Sequence, residues 1–236
     1  MRVVIPSVNY ADFLADTLPA WQAFLPRDAK IAVVTTPEDR ETQAVAASCD
    51  VPCCVTDVWT RDGAIFNKGS ALDLAFGFAP GWTHPPSGKE VCLSIDADVY
   101  PFGQFPDRAT LQPGVLYGCP RFQCDTREDL IAHLEGRKPR DAFQVILTRV
   151  RGEPNARLGT AQDLVTGAMT CLGYFQLFRY RFGICFGPSK TAGKYDLDFR
   201  RHFQRRHPLT SVWVFHLGEQ NRENWRGRVV RPWGRA

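Results

Sequence analysis

Two carboxylates separated by one residue close the segment Val91-Cys92-Leu93-Ser94-Ile95-Asp96-Ala97-Asp98-Val99. The nearly continuous apolar run before them has the character of a strand buried on both faces. Side chains alternate along a strand, so Asp96 and Asp98 point to the same side, at the carboxyl end where open α/β sheets bind ligands. Two carboxylates so placed repel each other unless a positive charge sits between or beside them. A divalent cation does this, and hard oxygen donors select Mg2+ or Mn2+, with water and phosphate filling the remaining positions. A solvated turn that merely ends a strand in two acids has the same spacing, and the pair alone does not separate these readings.

Holding such a pair requires an ordered sheet. The chain has 236 residues, 44% of them hydrophobic and 23% charged, the balance of a folded globular protein rather than a disordered, collagen-like or coiled-coil one. Strand-length apolar runs at Arg2–Ile5, Lys30–Thr35, Val51–Val55, Val91–Ile95 and Gly114–Tyr117 alternate with helical stretches. Between the first two, Phe13, Leu14, Leu18, Trp21 and Phe24 follow helical spacing. Pro37–Ser48 reads as a second helix, with Thr36 as N-cap and Pro37 at the first helical position, and Asn67–Phe78 as a third. This alternation predicts an α/β fold with a mostly parallel central sheet. The Pro- and Gly-rich Ala79–Lys89 is a loop, and Pro101–Arg157 predicts a less regular α+β region beside the sheet.

Composition narrows the setting. No apolar run approaches the roughly 20 residues that cross a bilayer, and the N-terminus enters Val3-Val4-Ile5-Pro6 without a signal-peptide pattern. A cytoplasmic protein with no membrane insertion is the expectation. None of the eight cysteines forms a C-x-x-C pair, which disfavours zinc. Most lie in apolar stretches such as Val91-Cys92-Leu93 and Ile184-Cys185-Phe186, where a reduced thiol packs as a small hydrophobe. Net charge is +4, yet residues 179–236 hold 11 Arg and 2 Lys against 2 Asp and 2 Glu, a net +9, while residues 1–178 carry 16 basic and 21 acidic residues, a net −5. Such asymmetry indicates an anionic partner or a solvated Arg-rich surface.

Asp96-Ala97-Asp98 after such a strand resembles the D-x-D motif of GT-A-fold glycosyltransferases. Val3-Val4-Ile5-Pro6-Ser7-Val8-Asn9 resembles the first strand and nucleotide-contacting loop of the family 2 enzymes. Phe66-Asn67-Lys68-Gly69-Ser70-Ala71-Leu72-Asp73 is similar to their N-x-G-x-A-L-N segment, with Asp73 in place of the last Asn. Gly173-Tyr174-Phe175-Gln176-Leu177-Phe178-Arg179 resembles the segment before the acceptor site of galactosyltransferase-like and chondroitin-polymerase-like members. Gly193-Lys194-Tyr195-Asp196-Leu197-Asp198-Phe199 stands where those carry G-x-E-D-x-D/E, with Tyr195 replacing the Glu. Val214-Phe215-His216-Leu217-Gly218 and Asn224-Trp225-Arg226-Gly227-Arg228 are similar to their H-L-G and N-W ending. These segments run in the family order over nearly the whole chain.

The resemblance implies one GT-A, Rossmann-like domain over residues 1–236, with residues 1–100 as the nucleotide-sugar-binding half and residues 101–236 as the acceptor-binding half. It implies Mn2+ or Mg2+ bound directly by Asp98, with His216 completing the site and Asp96 reaching the metal, its water or the ribose. A lone His after the apolar Val212-Trp213-Val214-Phe215 run is otherwise a satisfied core residue. Pro6, Ser7 and Asn9 after the first strand, Asp39 after the second, and Asn67 and Lys68 are the implied nucleotide-sugar contacts, UDP-sugars being the commonest donors. Ser7 and Asn9 equally suit capping and turn roles. Transfer needs a base within reach of the acceptor hydroxyl and positive charge on the leaving diphosphate. Asp196 matches the Asp of the motif and Asp198 follows two positions on, on a different helix face; Asp196 is favoured, and an acidic helix N-terminus is the structural alternative.

Two other classes compete. A nucleotidyltransferase would carry a G-x-G-x-R loop after the first strand, and Pro6-Ser7-Val8-Asn9-Tyr10 has no glycine. A non-catalytic nucleotide-sugar-binding module would show no donor hydrolysis. For the acceptor, a glycan is favoured. The alternative is hydroxymethylated DNA, its phosphates met by Arg200, Arg201, Arg205, Arg206, Arg226 and Arg228 with Trp and Phe as stacking surface. The compartment would then be the cytoplasm of a bacterium, or of a host cell if the source is viral.

Overall fold

The computed structural model describes residues 1–146, 173–191, 195, 198–218 and 233. The chain opens as β1 (Arg2–Pro6), α1 (Ala11–Phe24), β2 (Lys30–Thr35), α2 (Arg40–Ser48), β3 (Cys53–Val55), α3 (Lys68–Phe78) and β4 (Val91–Ile95). There follow β5 (Val99–Gly103), β6 (Val115–Gly118), β7 (Arg121–Cys124), α4 (Arg127–Leu134), β8 (Val145–Ile146), β9 (Phe175–Arg179), β10 (Arg205–Pro208) and β11 (Val212–Leu217). Among the described residues, seven strands form a central sheet in the order β10-β6-β9-β4-β1-β2-β3. β1 pairs parallel with β2 and β4, β2 with β3, and β10 with β6. β9 runs antiparallel to both of its neighbours, β4 and β6. The expected mostly parallel α/β sheet is present, and beside it β5, β7 and β8 join β11 from near the C-terminus in a second sheet, β5-β11-β7-β8.

β1 and β4 are buried at every position, as the unbroken apolar runs require. On one face Val3, Ile5, Leu93 and Ile95 meet Leu14, Leu18 and Trp21 of α1. On the other, Val4 and Cys92 meet Ala71, Leu72 and Ala75 of α3, joined by Phe186, Tyr195 and Phe199. Each large side chain so buried contributes about 1.5–3 kcal/mol relative to exposure. This sandwiching holds the carboxyl ends of β4, β1 and β2 in a rigid frame.

Three local expectations are corrected. The second helix begins at Arg40, not Pro37, because the Asp39 carboxylate accepts the Thr42 amide proton (N···O 3.0 Å) and caps the chain there. The strand expected from Val51 begins at Cys53. Cys185 is exposed, since its neighbours Ile184 and Phe186 are the ones that face the core. Cys54, Cys92, Cys119 and Cys124 are buried free thiols as expected, and Cys49 and Cys53 are half-buried and free. Cys171 lies outside the described residues. Among the described residues no helix is long and apolar enough to cross a membrane.

Candidate active site

The turn that carries the two acids is fastened by four hydrogen bonds from three places in the fold. The Asp96 amide donates to the Tyr174 carbonyl (3.1 Å) just before β9, and the Leu217 amide at the end of β11 donates to the Asp98 carbonyl (2.8 Å). One turn apart on α1, the Thr17 hydroxyl donates to the Ala97 carbonyl and the Trp21 indole to the Val99 carbonyl, both at 2.7 Å. The Leu217 bond is decisive for the chemistry, because it sets His216, the preceding residue, beside Asp98.

His216 Nε2 lies 3.6 Å from Asp98 Oδ2, with the two side chains 17% and 12% exposed. That separation is too long for a hydrogen bond. Burial, reinforced by the nearby Arg121 charge, pulls the His216 pKa down to about 3, against a smaller opposing effect of Asp96. The imidazole is therefore neutral throughout the physiological range, the form that donates an electron pair. Its Nδ1 is buried with no hydrogen-bond partner, a state that costs about 1–3 kcal/mol unless something satisfies it. An anionic oxygen next to a neutral imidazole is a donor pair that fits a divalent cation.

Asp96 is engaged differently. Its Oδ1 makes a close ion pair with Lys68 Nζ, and the ammonium also lies 4.8 Å over the Tyr195 ring. Burial pushes the Asp96 pKa up, Lys68 opposes that shift, and the neighbouring Asp98 charge adds to it. Among the described residues no group of three or more His, Cys, Asp or Glu side chains is gathered as a metal set. The structure thus brings Asp98 and His216 together and gives Asp96 to Lys68.

On the β1–β2 flank the expected nucleotide contacts form a hydrogen-bonded knot. Pro6 ends β1, and Ser7 is buried, its amide donating to Val34 O (2.9 Å) and its hydroxyl 3.2 Å from that of Thr42. Asn9 is exposed in the left-handed region (φ 61°). Asp39 Oδ2 holds it there by accepting the Asn9 amide proton (2.6 Å) together with the Thr35 hydroxyl (3.1 Å). Asn67 caps α3, and its Oδ1 accepts from the amides of Ser70 (3.3 Å) and Ser189 (2.9 Å). Asp73 accepts from the amides of Phe186 (2.7 Å) and Gly187 (2.8 Å), while burial raises its pKa. Gly69 lets the loop approach, since a Cβ there would lie 2.0 Å from the Gly187 carbonyl oxygen. The Asn67–Asp73 segment therefore staples the 186–189 loop to α3.

Those of the remaining expected residues that are described lie toward β10. Asp198 is paired with Arg201 (2.9 Å) and is 40% exposed. Arg201, Arg205 and Arg206 are exposed, Arg205 donating to Gln112 Oε1 (2.9 Å), whereas Arg200 is buried. Asp196, Arg226 and Arg228 lie outside the described residues. Tyr195, in place of the motif's Glu, is buried and donates its hydroxyl to the Gly173 carbonyl (3.1 Å). Sequence reasoning missed Thr17, which follows no apolar pattern, the polar role of Trp21, which it placed by helical spacing alone, and Arg121, the first residue of β7.

The chain matches no protein-family profile. No curated protein matches it in sequence. Solved structures do match in fold. The mannosyltransferase PcManGT from Pyrobaculum calidifontis, in complex with GDP-Man and Mn2+, is 15% identical with a TM-score of 0.50, over 95% of this chain and 58% of that one. Residues 1–349 of S. aureus TarS, in complex with UDP, are 14% identical with a TM-score of 0.52, over 91% of this chain and 60% of that one. The architecture is that of the GT-A-type glycosyltransferases. The chain spans less than two thirds of the length of either structure.

Proposed function

We propose that the protein is a metal-dependent glycosyltransferase that moves a sugar, with inversion, from a nucleotide-diphosphate sugar to an acceptor hydroxyl, with a UDP-sugar as the favoured donor. The observation that carries the reading is the neutral, half-buried His216, its Nδ1 buried and unpartnered, beside Asp98 at the carboxyl end of β4. It is supported by the presence of Mn2+ with GDP-Man and of UDP in the two structures of like fold. Asp98 and His216 would hold Mn2+ or Mg2+, which when bound supplies positive charge to the leaving diphosphate.

The chain's own residues divide the remaining work. Lys68, ion-paired with Asp96, adds a second cation on the donor side, where the diphosphate accumulates charge as it leaves. Pro6, Ser7, Asn9 and Asp39 form the floor for the nucleoside, with exposed Asn9 as the contacting side chain and Asp39 as its support. Asn67 acts as the cap that aims Lys68. Asp196 takes the proton of the attacking hydroxyl; Asp198 is committed to Arg201 and is the weaker base candidate. A single displacement of this kind inverts the anomeric centre.

A glycan hydroxyl is the acceptor we favour. Hydroxymethylated DNA is kept as a second reading on one observation, the exposed Arg201, Arg205 and Arg206 beside the edge strand β10. Titration with UDP, GDP and their sugars, each with and without Mn2+, followed by donor hydrolysis, tests the central reading. Metal-dependent binding of a nucleotide without any hydrolysis or transfer would reduce the protein to a binding module. Acceptor screening over glycans and hydroxymethylcytosine duplexes separates the two acceptors.

A further inference from the structure

The strand ends opposite the Asp96–Asp98 turn line up along one edge of the central sheet. Arg2 stands opposite Lys30 and Cys92, Val91 opposite Arg179, Leu116 opposite Phe178, and Arg205 opposite Val115. The starts of β10, β6, β4, β1 and β2 and the end of β9 therefore share this edge. In the order β10-β6-β9-β4-β1-β2 it is about 24 Å wide, at roughly 4.8 Å per strand spacing.

Two phenylalanines stand in solvent here. Phe182 is 98% exposed, at the tip of the turn that leaves β9. The Ile184 amide closes that turn by donating to the Arg181 carbonyl (3.1 Å), with Gly183 in the left-handed region (φ 85°). Arg181 fastens it from outside by donating to the His202 carbonyl (2.5 Å). Phe78, the last residue of α3, is 73% exposed, and Arg2 ties that helix end to the same edge by donating to the Phe76 carbonyl (3.1 Å). Large apolar side chains held in water by ordered backbone are stabilised by a partner that takes them out of it.

Cations flank both rings. Arg27, Lys30 and Lys89 are exposed, and their side chains have no partner among the described residues. Arg181 and Arg205 are exposed and donate to neutral oxygens, the His202 carbonyl and the Gln112 amide, so their charge is not cancelled. Asp28 and Glu90 are each paired with an arginine, which leaves Asp50 and Asp107 as the other acids at this edge among the described residues. Between Arg27, Lys30, Asp50 and Trp82 the surface opens into a cavity of about 400 Å3.

We propose that this edge docks on an anionic bilayer. Phe182 and Phe78 enter the boundary between headgroups and acyl chains, the cations draw the anionic surface in, and the cavity receives a lipid phosphate between Arg27 and Lys30. A nucleic-acid duplex would meet the cations but has no apolar layer to take up Phe182. The docking is peripheral, and it leaves the Asp96–Asp98 turn, at the other end of β4, facing away from the lipid.

The test is co-sedimentation with vesicles of phosphatidylcholine alone and of phosphatidylcholine with about one third phosphatidylglycerol, from low to physiological salt. Binding to the anionic vesicles alone is expected, falling as salt rises. Phe182→Ser should weaken it about 10-fold, and Lys30→Gln with Lys89→Gln about 10- to 30-fold. Unchanged thermal midpoints show that these surface variants fold. In Phe182→Trp, brominated acyl chains should quench the new indole's fluorescence, which reports insertion directly. The proposal is overturned if anionic vesicles do not bind, if neutral vesicles bind equally well, or if either set of variants binds like the wild type. Binding of duplex DNA without binding of vesicles also overturns it and gives the cations to nucleic acid. None of these readouts uses donor, metal or acceptor, so their failure leaves the glycosyl-transfer reading where it stands.

Discussion

Residues 1–100 carry 7 basic and 13 acidic side chains, residues 101–236 carry 22 and 12, and the two halves use their polar groups in opposite ways. In the first, Ser7, Asp39, Asn67 and Asp73 hydrogen-bond to nearby hydroxyls and to backbone amides, and so fix the shape of the loops around β1, β2 and α3. In the second, Arg201, Arg205 and Arg206 stand in solvent and Arg121 lies half-buried on an aromatic ring. The difference teaches that the first half is built as a rigid mould and the second as a charged surface. A mould suits a ligand of one fixed shape, whereas exposed charge works over longer range and yields to salt.

The largest effect is expected where the halves meet. Asp98→Ala should abolish transfer and weaken metal-dependent nucleotide binding by more than the roughly 10–100-fold that loss of a ligand's supporting partner costs, with the fold retained. Unchanged metal-dependent affinity by calorimetry would remove Asp98 from the metal site. Next, Asp196→Asn should lower turnover by about two to four orders of magnitude while nucleotide affinity holds, the range of general-base contributions. Asp198→Asn should do far less, because that carboxylate is spent on Arg201. The reverse pattern would move the base by two residues, and no effect from either would make both acids structural.

A pH measurement probes the junction without substrate. His216 has its native pKa depressed from 6.5 to about 3, so the unfolded chain takes up a proton that the native protein refuses. Its contribution to stability is present above pH 6.5 and is lost as pH falls below it, at about 1.4 kcal/mol per unit. Chemical denaturation between pH 7 and pH 5 should show this slope, and His216→Asn should flatten it. An identical slope in the variant would mean that the histidine titrates normally.

The smallest expected effect concerns the basic edge. If duplex DNA binds there, replacing Arg205 and Arg206 together by Gln should lower the log–log salt slope by about two, at roughly 0.9 per neutralised phosphate. Gel shifts from low to physiological salt, on duplexes with and without hydroxymethylcytosine, read this directly. Salt-insensitive or absent binding would leave the glycan acceptor alone and confine the charge to local recognition.

Local pattern made much of the fold legible. The unbroken run Val91–Ile95 ending in Asp96-Ala97-Asp98, the helical spacing of Leu14, Leu18 and Trp21, and the absence of glycine after β1 are short-range features, and short-range sterics and burial decide strands and helices. The start of α2 differs from the expectation because Thr36 and Asp39 are both competent caps, and only the Thr42 amide's approach to Asp39 selects between them. The sequence by itself determined that two acids end a central strand. Tertiary structure alone decided that Asp98 meets His216 while Asp96 meets Lys68, because those partners arrive from β11 and α3 through contacts distant in sequence. The same holds for Arg121, whose place depends on the chain crossing between two sheets. Residue types encode which groups are able to act, but which of them face one another depends on the packing of layers, and that is a property of the whole core.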